Sequence, residues 1–124
     1  MRALVVDDSK AIRRILSQML SSIGFEVSEA AHGKEAVTVL EESEPFDLGL
    51  IDWNMPEMNG FELVVEIRKN SKYDNMRLMM VTTETEMSQV VKALEAGANE
   101  YVMKPFTKEM IYEKLSLMGL SVNS

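Results

Sequence analysis

Ala3-Leu4-Val5-Val6-Asp7-Asp8-Ser9 is the stretch on which the fold turns. It opens on a short apolar run rich in β-branched side chains, the composition of a strand buried on both faces. Two carboxylates end the run, and the period then changes. Ile12, Ile15, Leu16, Met19, Leu20 and Ile23 recur at three- and four-residue intervals, which describes a helix with one buried stripe. Asp8 or Ser9 is placed to cap its start and Gly24 to end it.

The same alternation continues outward along the chain. Residues 25–30 form a weaker strand, with Phe25 and Val27 alternating with Glu26 and Ser28, and residues 33–42 a second helix carrying Ala36, Val37 and Leu40. Leu48-Gly49-Leu50-Ile51 is a third, fully apolar strand bracketed by Asp47 and Asp52. Residues 53–59 hold Pro56 and turn formers and read as a loop. Asn59-Gly60 opens a third helix, with Phe61, Val64, Val65 and Ile67 or Arg68 on its packed edge. Tyr73-Asp74-Asn75 reads as a polar connection. Residues 78–81 and 87–96 are the fourth strand and helix, the latter stopped by Gly97. Residues 101–103, ended by Lys104-Pro105, and 108–118 are the fifth pair. Five strands alternating with five helices predict an α/β fold: a doubly wound parallel sheet, joined by right-handed crossovers and covered on both faces.

Composition excludes several function classes. A chain of 124 residues predicts one domain over 1–124, without an effector domain. A hydrophobic share of 46% with 27% charged residues is that of a folded protein, not a disordered one. No apolar run approaches the ~20 residues of a membrane span, and no signal-peptide pattern opens the chain. A cytoplasmic protein without a membrane partner is expected. The absence of cysteine removes disulfides, thiolate metal sites and cysteine nucleophiles together. A net charge of −7 argues against nucleic acid as a partner, because phosphate binding needs clustered Lys and Arg. The one histidine, His32, precedes Gly33 in a turn-like stretch and reads as a solvated loop residue. It leaves little room for a histidine metal site or a catalytic triad.

Open parallel sheets bind ligands beyond the carboxyl ends of their strands. Asp7 and Asp8 follow the first strand, Asp52 the third, Thr82 and Thr83 the fourth, and Lys104 the fifth. This convergence is too polar to be packing. Two like charges ~4 Å apart cost roughly 4 kcal/mol at an effective dielectric of ~20, so such acids need a cation or raised pKa values. Carboxylates without imidazole or thiolate favour Mg²⁺ or Mn²⁺. Mg²⁺ uses one or two carboxylates plus phosphate oxygens, which leaves one carboxylate to attack phosphorus and form an aspartyl-phosphate.

Four strings add a specific resemblance. Leu4-Val5-Val6-Asp7-Asp8-Ser9, Ile51-Asp52-Trp53-Asn54-Met55-Pro56-Glu57-Met58-Asn59-Gly60, Val81-Thr82-Thr83-Glu84 and Ala96-Gly97-Ala98-Asn99-Glu100-Tyr101-Val102-Met103-Lys104-Pro105-Phe106 resemble the receiver domains of two-component signalling, in particular the stand-alone CheY-like type. The likeness runs through essentially the whole chain in the family's order. It implies the flavodoxin-like strand order 2-1-3-4-5, which comes with the family and not from the periodicity.

The resemblance also implies roles. Asp52 is the phospho-acceptor; Asp8 and Asp52 bind Mg²⁺ directly, Asp7 through water, and the backbone carbonyl of Asn54 completes the protein's share. Mn²⁺ is expected to substitute. Lys104, Thr82 and Thr83 bind the phosphoryl group, and Thr82 and Tyr101 form the switch. Asn54, Thr83 and Glu84 flank the site and tune the lifetime of the phosphorylated state. Lys104-Pro105 is expected to be cis. The implied partners are a sensor histidine kinase or phosphotransfer protein and a downstream protein target. The target is met by the fourth helix, fifth strand and fifth helix of a monomer, with chemotaxis as one output and a phosphorelay or phosphate sink as the alternative.

Plainer readings stand beside these. Asp7-Asp8 also suits a helix cap, Thr82 a turn, Tyr101 a half-buried strand aromatic, and Trp53 either the site entrance or simple packing. The eleven methionines read as core filler. Lys34, Glu35, Glu41, Glu42 and Glu44 read as a solvated face. A phosphatase with an aspartate nucleophile places a second Asp two positions after it, where this chain has Asn54. An FMN carrier needs hydroxyls and N–H groups after its first strand, where Asp7 and Asp8 would repel the phosphate. A scaffold without chemistry would have lost an acid or the lysine, and none is lost.

Overall fold

Alternate residues of a strand face opposite sides of a sheet, and in this chain both sides are apolar. The computed structural model describes residues 1–120, apart from the side chain of Glu84. Strand β1 (Arg2–Val6) sends Leu4 and Val6 to one face and Ala3 and Val5 to the other. β3 (Leu48–Asp52) and β4 (Arg77–Thr82) are buried almost throughout. β2 (Glu26–Ala30) and β5 (Glu100–Met103) are the edges, which explains their more polar sequences. The parallel order is β2-β1-β3-β4-β5, as the resemblance implied.

Five α-helices cover the two faces. α1 (Lys10–Ser21) and α5 (Lys108–Leu117) pack Leu16, Leu20, Ile111 and Leu115 against Ala3, Val5, Leu50 and Val81. α2 (Gly33–Glu42), α3 (Gly60–Arg68) and α4 (Val90–Ala96) pack Ala36, Leu40, Leu63, Val64 and Ala93 against Leu4, Val6, Ile51 and Met80. No helix among the described residues is long and apolar enough to cross a membrane.

Of the two caps offered for α1, Ser9 is the one used, accepting the N–H of Ile12. Several other local readings change. His32 is not a solvated loop residue: half-buried, it caps α2, its Nδ1 accepting the N–H of Glu35 at 3.2 Å. Residues 71–73, next to the polar connection, form a 3-10 turn, Ser71–Tyr73, with Tyr73 buried. The fourth helix does not begin at residue 87. A 3-10 segment, Glu84–Gln89, comes first and α4 starts at Val90, because residues 83–89 hold a single large apolar side chain, Met87.

Arg68, the last residue of α3, ties two connections together, α3 to β4 and α4 to β5. Its guanidinium donates to the carbonyls of Gly97 (3.0 Å), Tyr73 (2.7 Å) and Met76 (2.7 Å) and to Asn99 Oδ1 (3.0 Å). Asn99 Oδ1 also accepts the N–H of Leu78 at 2.8 Å. Gly97, at φ +124°, belongs to this knot, since a Cβ there would meet the Arg68 side chain at 2.6 Å. Removing the guanidinium leaves several carbonyls without their donor. Arg68→Ala is expected to cost about 2 kcal/mol in urea unfolding. Arg68→Lys should recover less than half, because an ammonium lacks the planar fork.

Candidate functional site

The carboxyl ends of β1, β3 and β5 meet at one rim of the sheet. Val6 pairs with Ile51, so Asp7 and Asp52 leave neighbouring strands at the same level. Carboxylate oxygens of Asp7, Asp8 and Asp52 lie within 4.8 Å of one another. Lys104, just past β5, places Nζ 3.0 Å from Asp52 Oδ1 and 3.6 Å from Asp7 Oδ2. The first is a charge-assisted hydrogen bond, and the second is a longer ion pair. Of the six residues that the strand-end rule picked out, Asp7, Asp8, Asp52 and Lys104 are therefore together.

Local structure fixes each one. The N–H of Asp7 donates to the Ala30 carbonyl at 3.1 Å. Asp7 Oδ1 accepts the N–H of Ser9 at 2.8 Å, so this acid does shape the turn into α1, and its other oxygen points elsewhere. Asp52 is the last residue of β3. After it, the Trp53 N–H donates to Val81 at 3.1 Å and the Trp53 carbonyl accepts the N–H of Gly60 at 2.8 Å. Gly60 is needed for that approach: a Cβ there would lie 2.5 Å from the Asp52 backbone oxygen. Lys104 donates its backbone N–H to the Thr82 carbonyl at 2.7 Å, and the Lys104-Pro105 bond is cis as expected.

Burial sets the electrostatics. Asp7 is 1% exposed and Asp52 6%, whereas Asp8 is exposed. Burial pushes the Asp52 carboxyl up to about 6; the Lys104 hydrogen bond opposes this, and the charges of Asp7 and Asp8 add to it. Asp7 is raised too, again chiefly by burial, against the Ser9 N–H and Lys104. Lys104 is raised by its bond to Asp52 and the charges of Asp52 and Asp7, which outweigh its partial burial. One ammonium does not neutralise three carboxylates. Asp7 Oδ2 is buried without a hydrogen-bond partner, a costly state for a charged oxygen. An all-oxygen cluster with one such orphaned atom fits a hard divalent cation.

The remaining residues lie around this centre. Thr82 ends β4 fully buried, and its hydroxyl donates to Met87 Sδ at 3.7 Å. The Thr83 hydroxyl is engaged with Thr85 Oγ1 at 2.7 Å. Asn54 is exposed, two positions past Asp52. Glu84 has a described backbone, but its side chain, which carries the expected tuning role, lies outside the described residues. Tyr101 is half-buried on β5, with Lys114 Nζ 4.6 Å from its ring centroid. Trp53 is buried near Phe61, ring centroids 6.4 Å apart, which favours packing over a place at the site entrance. Sequence reading missed Arg13, whose guanidinium donates to the Asp7 carbonyl at 2.7 Å and to Glu29 at 3.2 Å, pinning the acidic turn to α1. An arginine within a helical stripe carries no signal of such a role.

Residues 3–116 match the model of the response regulator receiver domain. The chain is similar to a chemotaxis protein CheY homolog of Campylobacter jejuni, 48% identical over 93% of this chain and 89% of the relative. It is also similar to chemotaxis protein CheY1 of Helicobacter pylori, 44% identical over 95% and 96%. Among solved structures it resembles chemotaxis protein CheY4 of Vibrio cholerae, with a TM-score of 0.87 and 37% identity, over 94% of this chain and 97% of that one. Receiver domains are phosphorylation-activated signalling switches and not turnover enzymes; they generally bind Mg²⁺ in an acidic pocket and work with a histidine kinase and downstream targets. This chain belongs to the response regulator receiver domain family.

Proposed function

We propose that Asp52 is the phosphorylated residue of this response regulator, and that Asp7, Asp8, Asp52 and the Asn54 backbone carbonyl hold Mg²⁺ or, in its place, Mn²⁺. The observation that carries this reading is Lys104 Nζ set between Asp52 and Asp7, with Asp8 completing the acid cluster. Lys104 engages Asp52 Oδ1 and leaves Oδ2 as the attacking oxygen. That oxygen bonds to phosphorus in line with the leaving group, the P–N bond of a kinase's phosphohistidine breaks, and its electron pair returns to the imidazole. A bound divalent cation would supply neutralisation of the phosphoryl oxygens. Lys104 supplies the same from the other side, moving from carboxylate to phosphoryl oxygen.

The new group carries roughly −1.5 to −2 charge, by analogy with phosphorylated hydroxyl residues. Thr82 then exchanges its sulfur partner for a phosphoryl oxygen, and Tyr101 packs inward against the space it leaves. The outer face of α4, β5 and α5 is the output surface. It already exposes Val91, Leu94, Met103 and Met110, apolar side chains suited to a protein target. Both packings pre-exist, and phosphorylation shifts their populations.

We further propose that the chain works as a stand-alone cytoplasmic switch in chemotaxis. Its support is the likeness, over most of both chains, to relatives named as chemotaxis proteins. The protein immobilised with Mg²⁺, with and without beryllofluoride as a phosphoryl mimic, tests the switch. A protein captured only by the loaded form fits an output surface. Equal capture by both forms contradicts it.

A further inference from the structure

Thr82 Oγ1 is buried, and among the described residues its partner is a thioether, Met87 Sδ, 3.7 Å away. Sulfur is a weak acceptor. A buried hydroxyl held by a weak acceptor is satisfied but loosely tied. The loop after β4 keeps the sulfur in place. The Thr83 N–H donates to Glu86 Oε1 at 3.0 Å, the Glu86 N–H returns to the Thr83 carbonyl at 3.1 Å, and Thr83 and Thr85 share a hydroxyl bond at 2.7 Å. These contacts close the turn that carries Met87 back over Thr82.

We infer that Met87 is a positioning residue, a weak latch whose sulfur holds the Thr82 hydroxyl in the resting arrangement and sets how readily it leaves. The inference rests on the reading of Thr82 as the hydroxyl that moves to the phosphoryl group. Its logic is comparative. In the active arrangement Thr82 bonds a charged oxygen, roughly twice as strong as a neutral bond. In the resting arrangement its partner among the described residues is the thioether. A latch of this strength satisfies the hydroxyl without trapping it. With no acceptor, the resting arrangement would bury an unpaired hydroxyl and become less populated. With a strong acceptor it would dominate. Were Met87 mere gap-filling, its replacement by a similar volume would change little.

The test is a beryllofluoride titration of the Mg²⁺-loaded protein, read by fluorescence of Trp53, the chain's one tryptophan and the neighbour of Asp52. Met87→Leu, which keeps the volume and removes the acceptor, is expected to lower the midpoint about three- to tenfold. Met87→Gln, which adds a strong acceptor, is expected to raise it by a similar factor. In a Thr82→Val background both substitutions should lose their effect, which packing alone would not produce. Three results overturn the latch: a Met87→Leu midpoint equal to wild type, a Met87→Gln shift in the same direction as Leu, or effects that persist without the Thr82 hydroxyl. A wild-type protein that gives no response at all removes the Asp52 reading itself, and the latch with it.

Discussion

Incubated with a small acyl phosphate and Mg²⁺, the wild-type chain is expected to gain one phosphoryl group, and Asp52→Ala none. The three acids are not equivalent as nucleophiles. Asp7 is buried, one of its oxygens is bonded to Ser9 N–H and the other is out of solvent's reach. Asp8 is exposed but has no described contact with the lysine. Asp52 alone combines an available oxygen with a direct Lys104 hydrogen bond. With its carboxyl pushed up to about 6, it is ionised through the neutral range and loses reactivity as pH falls through 6. Lys104→Ala should leave the acceptor intact and slow labelling by about 10²-fold, the order seen when one preorganised donor to developing charge is removed. Intact-mass measurement reads both results. Labelling that persists in Asp52→Ala would place the acceptor elsewhere, with Asp8 the first residue to check.

Without metal, the protein should become less stable as pH rises from about 4 to about 7. An acid whose folded pKa lies above its unfolded value binds more protons in the native state between the two values. Stability therefore falls as pH climbs through that window and stays low above it. For Asp52 the window runs from 3.8 to about 6, which corresponds to about 3 kcal/mol. Asp7 acts in the same direction. Lys104 has a raised pKa, so the stability it contributes is present below its unfolded value of 10.5 and is lost only above that range. Urea unfolding in EDTA across this pH range checks the slope. The difference between wild type and Asp52→Asn isolates Asp52 from the chain's other carboxylates, and the variant should be the more stable at pH 8. Curves of equal slope would contradict the assigned burial penalty.

Much of this was legible in sequence because apolar pattern and strand-end chemistry coincide. Residues 3–6, 48–51 and 78–81 are nearly uninterrupted apolar runs, so the central strands declared themselves, and the residues after them named the site. The edge strands were fainter because Glu26, Ser28 and Glu100 face water or its margin. The parallel order came with the family resemblance, since periodicity says nothing of which strands are neighbours. The segment Glu84–Gln89 was read partly as helix because a single apolar residue, Met87, gives no periodicity to judge by. What stayed hidden was contact between residues far apart in sequence or role. Arg68 gathers carbonyls from the loop that follows it and from the distant loop after α4, Arg13 pins the acidic turn, and Thr83 bonds Thr85 instead of presenting a free hydroxyl. A side chain's partner is a property of packing, and no spacing rule encodes it.

Mg²⁺ binding measured by isothermal titration calorimetry at pH 8, on wild type and Asp8→Asn, tests the acid cluster most directly. One ion per wild-type chain is predicted, with affinity at least about tenfold weaker in the variant, which loses an assigned ligand. Absence of binding to the wild-type protein, or equal binding by both, would contradict the assignment of these carboxylates to a shared divalent cation.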